Sequence, residues 1–291
     1  MPARVWQALA GVIVLLLVAV IGLDQWQARR GEASLFGPDL LGFGRTRTAT
    51  PTPASLPRFN PRPEPAPLPP GAPRVAVIVD DLGRRRDVFD LLREIRRPLT
   101  VAVLPGLPLS AAIARDATRA GLEVLLDLPM EPYRYPELDP GPGALLMSMA
   151  PAQIQRAVGA QLDAIPAAAG VINWMGSRLT EDRPRMRALL DVLAARRLLL
   201  VDAYASSQSI AFDEARDAGV RAARRQILVD HADGEAGDRA RWDRVAGWAE
   251  RRGEVIVVAH GHALTVRLLT EYVPRWEARG LRLVPVSQLA R

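Results

Sequence analysis

From residue 74 onward the sequence predicts an α/β fold, a parallel sheet closed or nearly closed as a (β/α) barrel. Three observations predict it. Short runs of aliphatic residues alternate with amphipathic stretches of helical period, seven or eight times in about 218 residues. The runs are apolar throughout, as strands covered on both faces are; Val75-Ala-Val-Ile-Val79 and Val255-Ile-Val-Val-Ala259 are the clearest. Several amphipathic stretches stop on glycine, at Ala120-Gly121, Ala218-Gly219, Arg252-Gly253 and Arg279-Gly280, where a left-handed turn needs a residue without Cβ. An open doubly wound sheet is the alternative, but no G-x-G-x-x-G follows the first strand, so nucleotide binding is unsupported.

In order, the candidate strands are 75–79, 99–104, 122–128, 170–173, 198–202, 226–230, 255–259 and 281–286. The candidate helices between and after them are 84–96, 109–120, 151–164, 182–196, 208–218, 238–252 and 264–279. The strand ends carry Asp80 and Asp81, Pro105, Asp127, Asn173, Asp202, Asp230 with His231, His260 with His262, and Ser287. One polar group at a strand end is ordinarily a turn or a helix cap. A series of them, holding all three histidines of the protein, marks the rim where α/β folds place their chemistry.

Adjacent residues at a strand end point in opposite directions. Of Asp80 and Asp81, one carboxylate can therefore bind metal while the other accepts a proton. His260-Gly-His262 stands where a strand hands over to a helix. Its two rings could share an ion or divide into ligand and general acid, and imidazole with carboxylate suits zinc or another divalent first-row metal. Asp230-His231 is the weaker pair, with a surface position equally consistent. Trp174 could stack on a sugar face or plug the barrel mouth.

The segments before residue 74 are different in kind. Ala8 to Leu23 contains no polar side chain, and with residues 5–7 it makes a helix of about 28 Å, near the ~30 Å hydrocarbon core. Trp6 and Trp26 bracket it as interfacial anchors do, so residues 1–30 read as a membrane anchor or uncleaved signal. Residues 31–73 read as a disordered spacer. Ten prolines lie between Pro51 and Pro73, and such a stretch favours extended polyproline II. The net charge of +6 is carried by arginine alone, since no lysine occurs. The arginines are scattered along helix faces and aromatics are 5%, which argues against a nucleic-acid partner. With no cysteine, disulfides and cysteine-ligated metals are excluded.

Residues 74 to 290 resemble the divergent polysaccharide deacetylase family, a branch of the NodB-homology carbohydrate esterases. The resemblance rests on Val-Ile-Val-Asp80-Asp81-Leu-Gly, Val-Leu-Pro105, Leu-Pro-Met-Glu-Pro132, Pro-Gly-Pro-Gly-Ala-Leu-Leu146, Met-Gly-Ser-Arg178, Val-Asp202, His260-Gly-His262 and Leu-Val-Pro-Val-Ser287. It implies a distorted (β/α) barrel of NodB-homology type, a divalent metal such as zinc, and deacetylation of an N-acetylated cell-envelope polysaccharide. It further implies a globular domain held outside the cytoplasm, on the periplasmic side of the inner membrane. By the resemblance Asp81 binds metal, Asp80 is the base on metal-bound water, and His260 or His262 protonates the departing amine. His260 and His262 are also candidate ligands, with Asp127 a possible substitute ligand of this chain's own, and Glu131, Trp174, Arg178 and Asp202 are the candidate substrate contacts.

The chain departs from the family pattern at three points. Trp174 precedes Met-Gly-Ser, and Asp127 begins the Leu-Pro-Met-Glu-Pro run, where the family has histidine at both; His-Gly-His replaces His-Pro-His. Trp cannot ligate metal, whereas Asp127 can. Two readings follow: an active deacetylase with a rearranged ligand set, or a glycan-binding or scaffold module on the same barrel.

Overall fold

The computed structural model describes residues 71–230 and 234–291. The apolar run 8–23, the spacer up to residue 70 and His231 lie outside the described residues. The elements are β1 (Arg74–Leu82), α1 (Arg86–Arg93), β2 (Thr100–Val103), α2 (Ser110–Arg119), β3 (Glu123–Met130), α3 (Pro151–Ala164), β4 (Gly170–Met175) and α4 (Arg183–Arg196). They continue as β5 (Leu199–Asp202), α5 (Ala211–Asp217), β6 (Ala222–Arg224), β7 (Ile227–Leu228), α6 (Gly234–Arg252), β8 (Glu254–His260), α7 (Ala263–Ala278) and β9 (Arg282–Leu283). The strands run parallel in the order β6-β5-β4-β3-β2-β1-β8-β7, with β9 on the start of β1.

The sheet curls into a half-barrel. β6 pairs with β5 and β7 with β8, yet only Arg225 and Gln226 separate the two strands, so residues 222–228 touch both edges of the sheet. Within that stretch Arg225 donates its N–H to Asp202 O at 2.9 Å and Gln226 donates to Ile256 O at 3.0 Å. The sequence places a strand at 226–230 and none at 222–224. Arg221-Ala-Ala-Arg224 lacks the β-branched run that marks a strand, and the β5 edge imposes the extended conformation.

Strand alternation sorts the core into two layers. Val75, Val77, Val79, Val101, Val103, Val124, Leu126, Val255 and Val257 face the helices. Ala76, Ile78, Ala102, Leu125, Ile172, Val201, Ile256 and Val258 fill the interior of the curl. Behind the sheet, Trp242 of α6 stacks on Trp276 of α7 with ring centroids 5.5 Å apart. Among the described residues no helix is long and apolar enough to cross a membrane.

Residues 284–291 stopper the end of the barrel where the strands begin. Val284 donates its N–H to Val75 O at 3.0 Å, Val286 donates to Thr100 Oγ1 at 3.0 Å, and Ala222 and Arg291 exchange backbone hydrogen bonds. Ser287 is therefore not at the rim that the sequence reading gave it. Its N–H bonds Glu123 Oε2 at 3.2 Å, at the opposite end. The cause is that only Arg282 and Leu283 form strand, and Pro285, with no N–H to donate, cannot extend it.

Candidate active site at the barrel mouth

Inward alternation carries straight on from apolar to polar residues at the carboxyl ends of four strands. Ala76-x-Ile78-x-Asp80 on β1, Leu125-x-Asp127 on β3, Ile172-x-Trp174 on β4 and Ile256-x-Val258-x-His260 on β8 place Asp80, Asp127, Trp174 and His260 above the interior layer. Asp80 and His260 are register partners on adjacent strands. Trp174 is half-buried. Asp80 is 7% exposed and Asp127 fully buried.

Asp81 breaks the alternation. Its φ of +57° is left-handed, and the register of β1 against β2 shifts between Val79 and Leu82. The turn sends its carboxylate outward to Arg84, 3.2 Å away. It also presents its N–H to Asp127 Oδ2 at 2.9 Å. Asp80 and Asp81 do diverge, as adjacent residues at a strand end must, but the outward one is Asp81.

The two histidines meet on Asp230, a residue at the rim that the sequence reading did not place in the site. Asp230 Oδ2 accepts the N–H of His260 at 2.7 Å, and Oδ1 lies 2.8 Å from His260 Nδ1. Oδ2 is also 3.1 Å from His262 Nε2 and accepts from Thr265 Oγ1 at 3.3 Å. His262 caps α7, its Nδ1 accepting the Thr265 N–H at 3.2 Å. Both nitrogens of His262 are thus engaged, and its remaining N–H sits on Nε2. His260 keeps Nε2 for the mouth. Between them, Gly261 donates its N–H to Asp80 O at 2.9 Å. A Cβ there would stand 2.9 Å from Asp80 O and 2.5 Å from Leu82 Cδ2, so the glycine is required by close approach.

Charge at the mouth is unevenly compensated. Burial raises the Asp80 carboxyl to about 7, with His260 pulling it down and Asp230 and Asp81 pushing it up. Burial, then the charge of Asp80, raises Asp127 well above the carboxylate range. Each of these two carboxyls keeps one buried oxygen without a hydrogen-bond partner among the described residues. His260 is raised to about 9, chiefly by its bond to Asp230 against the cost of burial. Burial pushes Asp230 up, but the hydrogen bonds from His260 and His262 outweigh it and hold Asp230 well below the usual range. Near neutral pH the mouth thus offers a proton acceptor, Asp80, beside a proton donor, His260.

The expected ligand set of Asp81, Asp127, His260 and His262 does not assemble. Asp81 is turned away to Arg84, Asp127 Oδ2 is taken by a backbone N–H, and Asp230 holds both imidazoles. Among the described residues no group of three His, Asp or Glu side chains is arranged to hold a metal ion. The expected donor set does not fit zinc, whose catalytic sites take three converging protein ligands.

Of the residues expected to face substrate, two have their carboxylates consumed by the fold. Asp202, 0% exposed, accepts from Tyr204 N at 2.8 Å and Ser209 Oγ at 3.1 Å and pairs with Arg224. Glu131 accepts from Met147 N at 2.8 Å and from Arg178 Nη1 at 2.9 Å. Its N–H donates to Leu145 O and its carbonyl accepts from the N–H groups of Arg178 and Leu179, so it ties the Pro/Gly loop 139–147 to the turn after β4. Arg178, half exposed, and Trp174 stay accessible. Glu131→Ala leaves the Met147 N–H unpaired and is expected to destabilise the protein by about 1–3 kcal/mol, read by urea unfolding. A change below about 0.5 kcal/mol would show that the loop does not hang on Glu131.

Residues 77–290 match the divergent polysaccharide deacetylase family. The uncharacterized protein YibQ of Escherichia coli (strain K12) is 30% identical over 202 residues, 69% of this chain and 63% of its own length, so the chain spans less than two thirds of that relative. A Haemophilus influenzae protein is 26% identical over 196 residues, 67% of this chain and 69% of its own. Among solved structures, ATU2773 of Agrobacterium tumefaciens C58 superposes with a TM-score of 0.71 at 26% identity, covering 75% of this chain and 89% of that one. An Enterococcus faecalis V583 protein shares the fold, with a TM-score of 0.55 at 15% identity over 76% of this chain and 100% of its own. The family match runs through all the strands that carry Asp80, Asp127, Asp230 and His260, and the chain belongs to the divergent polysaccharide deacetylase family.

Proposed function

We propose that the barrel mouth takes an N-acetylated cell-envelope polysaccharide and hydrolyses its acetamide groups, with Asp80 as general base and His260 as general acid. The observation that carries this reading is the in-register pairing of a buried, proton-hungry carboxyl with an imidazole anchored by Asp230. Ionised Asp80 takes a proton from water as the water oxygen bonds to the acetyl carbon. His260, protonated and held at Nδ1, delivers its Nε2 proton to the amide nitrogen as the C–N bond breaks, releasing acetate and a free amine. Asp230 fixes the ring and stabilises its charge, as a carboxylate behind a catalytic imidazole does. Family membership supports the substrate class.

No step passes through a metal. Chelation with EDTA is therefore expected to leave acetate release from N-acetylglucosamine oligomers and peptidoglycan unchanged within about twofold. Loss of activity restored by zinc would overturn this part of the reading. The apolar run 8–23 supports a further proposal, that residues 1–30 tether the barrel to the inner membrane with the domain on the periplasmic side. Protease added to spheroplasts degrades the domain if so, and spares it if the domain faces the cytoplasm.

Trp174 on the inner face and the missing ligand triad favour a second reading, glycan binding without turnover. Oligomer binding with no acetate release in the wild-type protein selects it.

A further inference from the structure

We infer that Tyr133 and Tyr204 form a sugar-stacking platform at the mouth, a subsite for a pyranose of the bound chain on the side away from Asp80. The inference rests on the polysaccharide reading above. Large exposed hydrophobic side chains among the described residues are three, Tyr133 at 57%, Leu138 at 41% and Tyr204 at 36%, and all follow the carboxyl ends of β3 and β5. That clustering is not what scattered surface exposure gives.

Both rings are fixed through their polar ends. The Tyr133 hydroxyl donates to Glu181, which also accepts from Ser206, so one carboxylate joins the β3 loop to the β5 loop across the turn after β4. The Tyr133 N–H donates to Ser177 Oγ at 3.1 Å. Tyr204 sits in a left-handed conformation, φ +52°, and its hydroxyl donates to Ser207 O at 3.3 Å. The Arg224 guanidinium covers one face of its ring, 5.0 Å from the centroid, and Arg225 holds its carbonyl at 2.9 Å. Tyr133 thereby stays 57% exposed and Tyr204, with Arg224 over one ring face, 36% exposed, both hydroxyls already satisfied.

A protein partner would need a contiguous apolar patch of several hundred Å². These two rings instead offer little apolar area and lie near Ser177, Arg178, Glu181 and Ser206. Single flat faces amid hydroxyl and charged neighbours suit the axial C–H face of a pyranose flanked by its own hydroxyls.

The test is titration calorimetry of the full chain with the N-acetylglucosamine tetramer. The wild-type protein is compared with Tyr133→Ala, Tyr204→Ala, Tyr133→Phe and Tyr133→Trp, each checked for folding by circular dichroism. Each Ala variant is expected to weaken binding about 5- to 10-fold, while Phe and Trp stay within about threefold of wild type. Wild-type binding left unchanged in both Ala variants overturns the platform alone. A Phe variant as weak as the Ala variant also overturns it, by assigning the effect to the hydroxyl. No binding of the tetramer by the wild-type protein overturns the polysaccharide reading and the platform with it.

Discussion

Asp80→Asn is expected to stabilise the protein and silence it together. The Asp80 carboxyl sits buried with one oxygen unpartnered, and its value rises from the ordinary 3.8 to about 7. A carboxyl raised on folding contributes stability that is complete below its unfolded value and lost as pH rises through the folded one. Wild-type stability should therefore fall between about pH 4 and 7 on this account, and the Asn variant should not show that fall. At roughly 1.4 kcal/mol per pH unit, the variant gains about 2–4 kcal/mol at pH 8. Losing the general base costs about 10²–10⁴-fold in acetate release. Thermal melts across pH 4–8 and an acetate assay read the two effects. A variant less stable than wild type at pH 8 would refute the buried-charge account, and one that keeps full turnover would refute the base assignment.

Asp230→Asn is the second large effect and has the opposite sign. Its carboxylate receives two bonds from His260, one from His262 and one from Thr265, which also ties it to the start of α7. Asparagine cannot accept at both oxygens, so buried donors lose partners and the protein should lose about 2–4 kcal/mol. Asp230 is depressed in the fold, so its contribution is present above the ordinary carboxylate value and is lost as pH falls. His260 is raised from 6.5 to about 9, so its contribution is present below 6.5 and is lost as pH rises to about 9. The variant should lack both limbs. With three histidines in the chain, proton NMR can follow His260 directly. Its titration should move from about 9 back toward 6.5, and a midpoint that stays near 9 would show that Asp230 is not its cause.

The layered fold was legible because fully apolar runs ended in polar residues, and the strand ends named Asp80, Asp127 and His260 before any coordinates. Period 2 then decided which of them face inward. What stayed hidden had local causes. Asp230 stood at the rim as the end of the candidate strand 226–230, but its part in the site depends on partners 30 and 35 positions away. Asp81 read as a ligand because a left-handed φ leaves no mark on an Asp-Asp pair. His262 read as a ligand or general acid because capping depends on where α7 starts. Glu131 read as a substrate contact because its partner Arg178 is 47 positions away, and Asp202 because its partners Tyr204 and Ser209 lie in an irregular loop. Tyr133 and Tyr204 lie in irregular loops, where nothing periodic separates an exposed ring from a buried one.

The pairing of β1 with β8 has a consequence for how the chain matures. Arg74 and Glu254 are bonded across 180 positions, so β1, the first strand of the described residues, must wait for β8 before its second edge is covered. Closing so long a loop is slow, since most of the ordering entropy is spent before that contact forms. During synthesis β1 therefore keeps an open, wholly apolar edge, and the nascent chain remains unlocked until residues 254–260 have been made. A polypeptide built this way is a client for any holdase that shields bare strand edges.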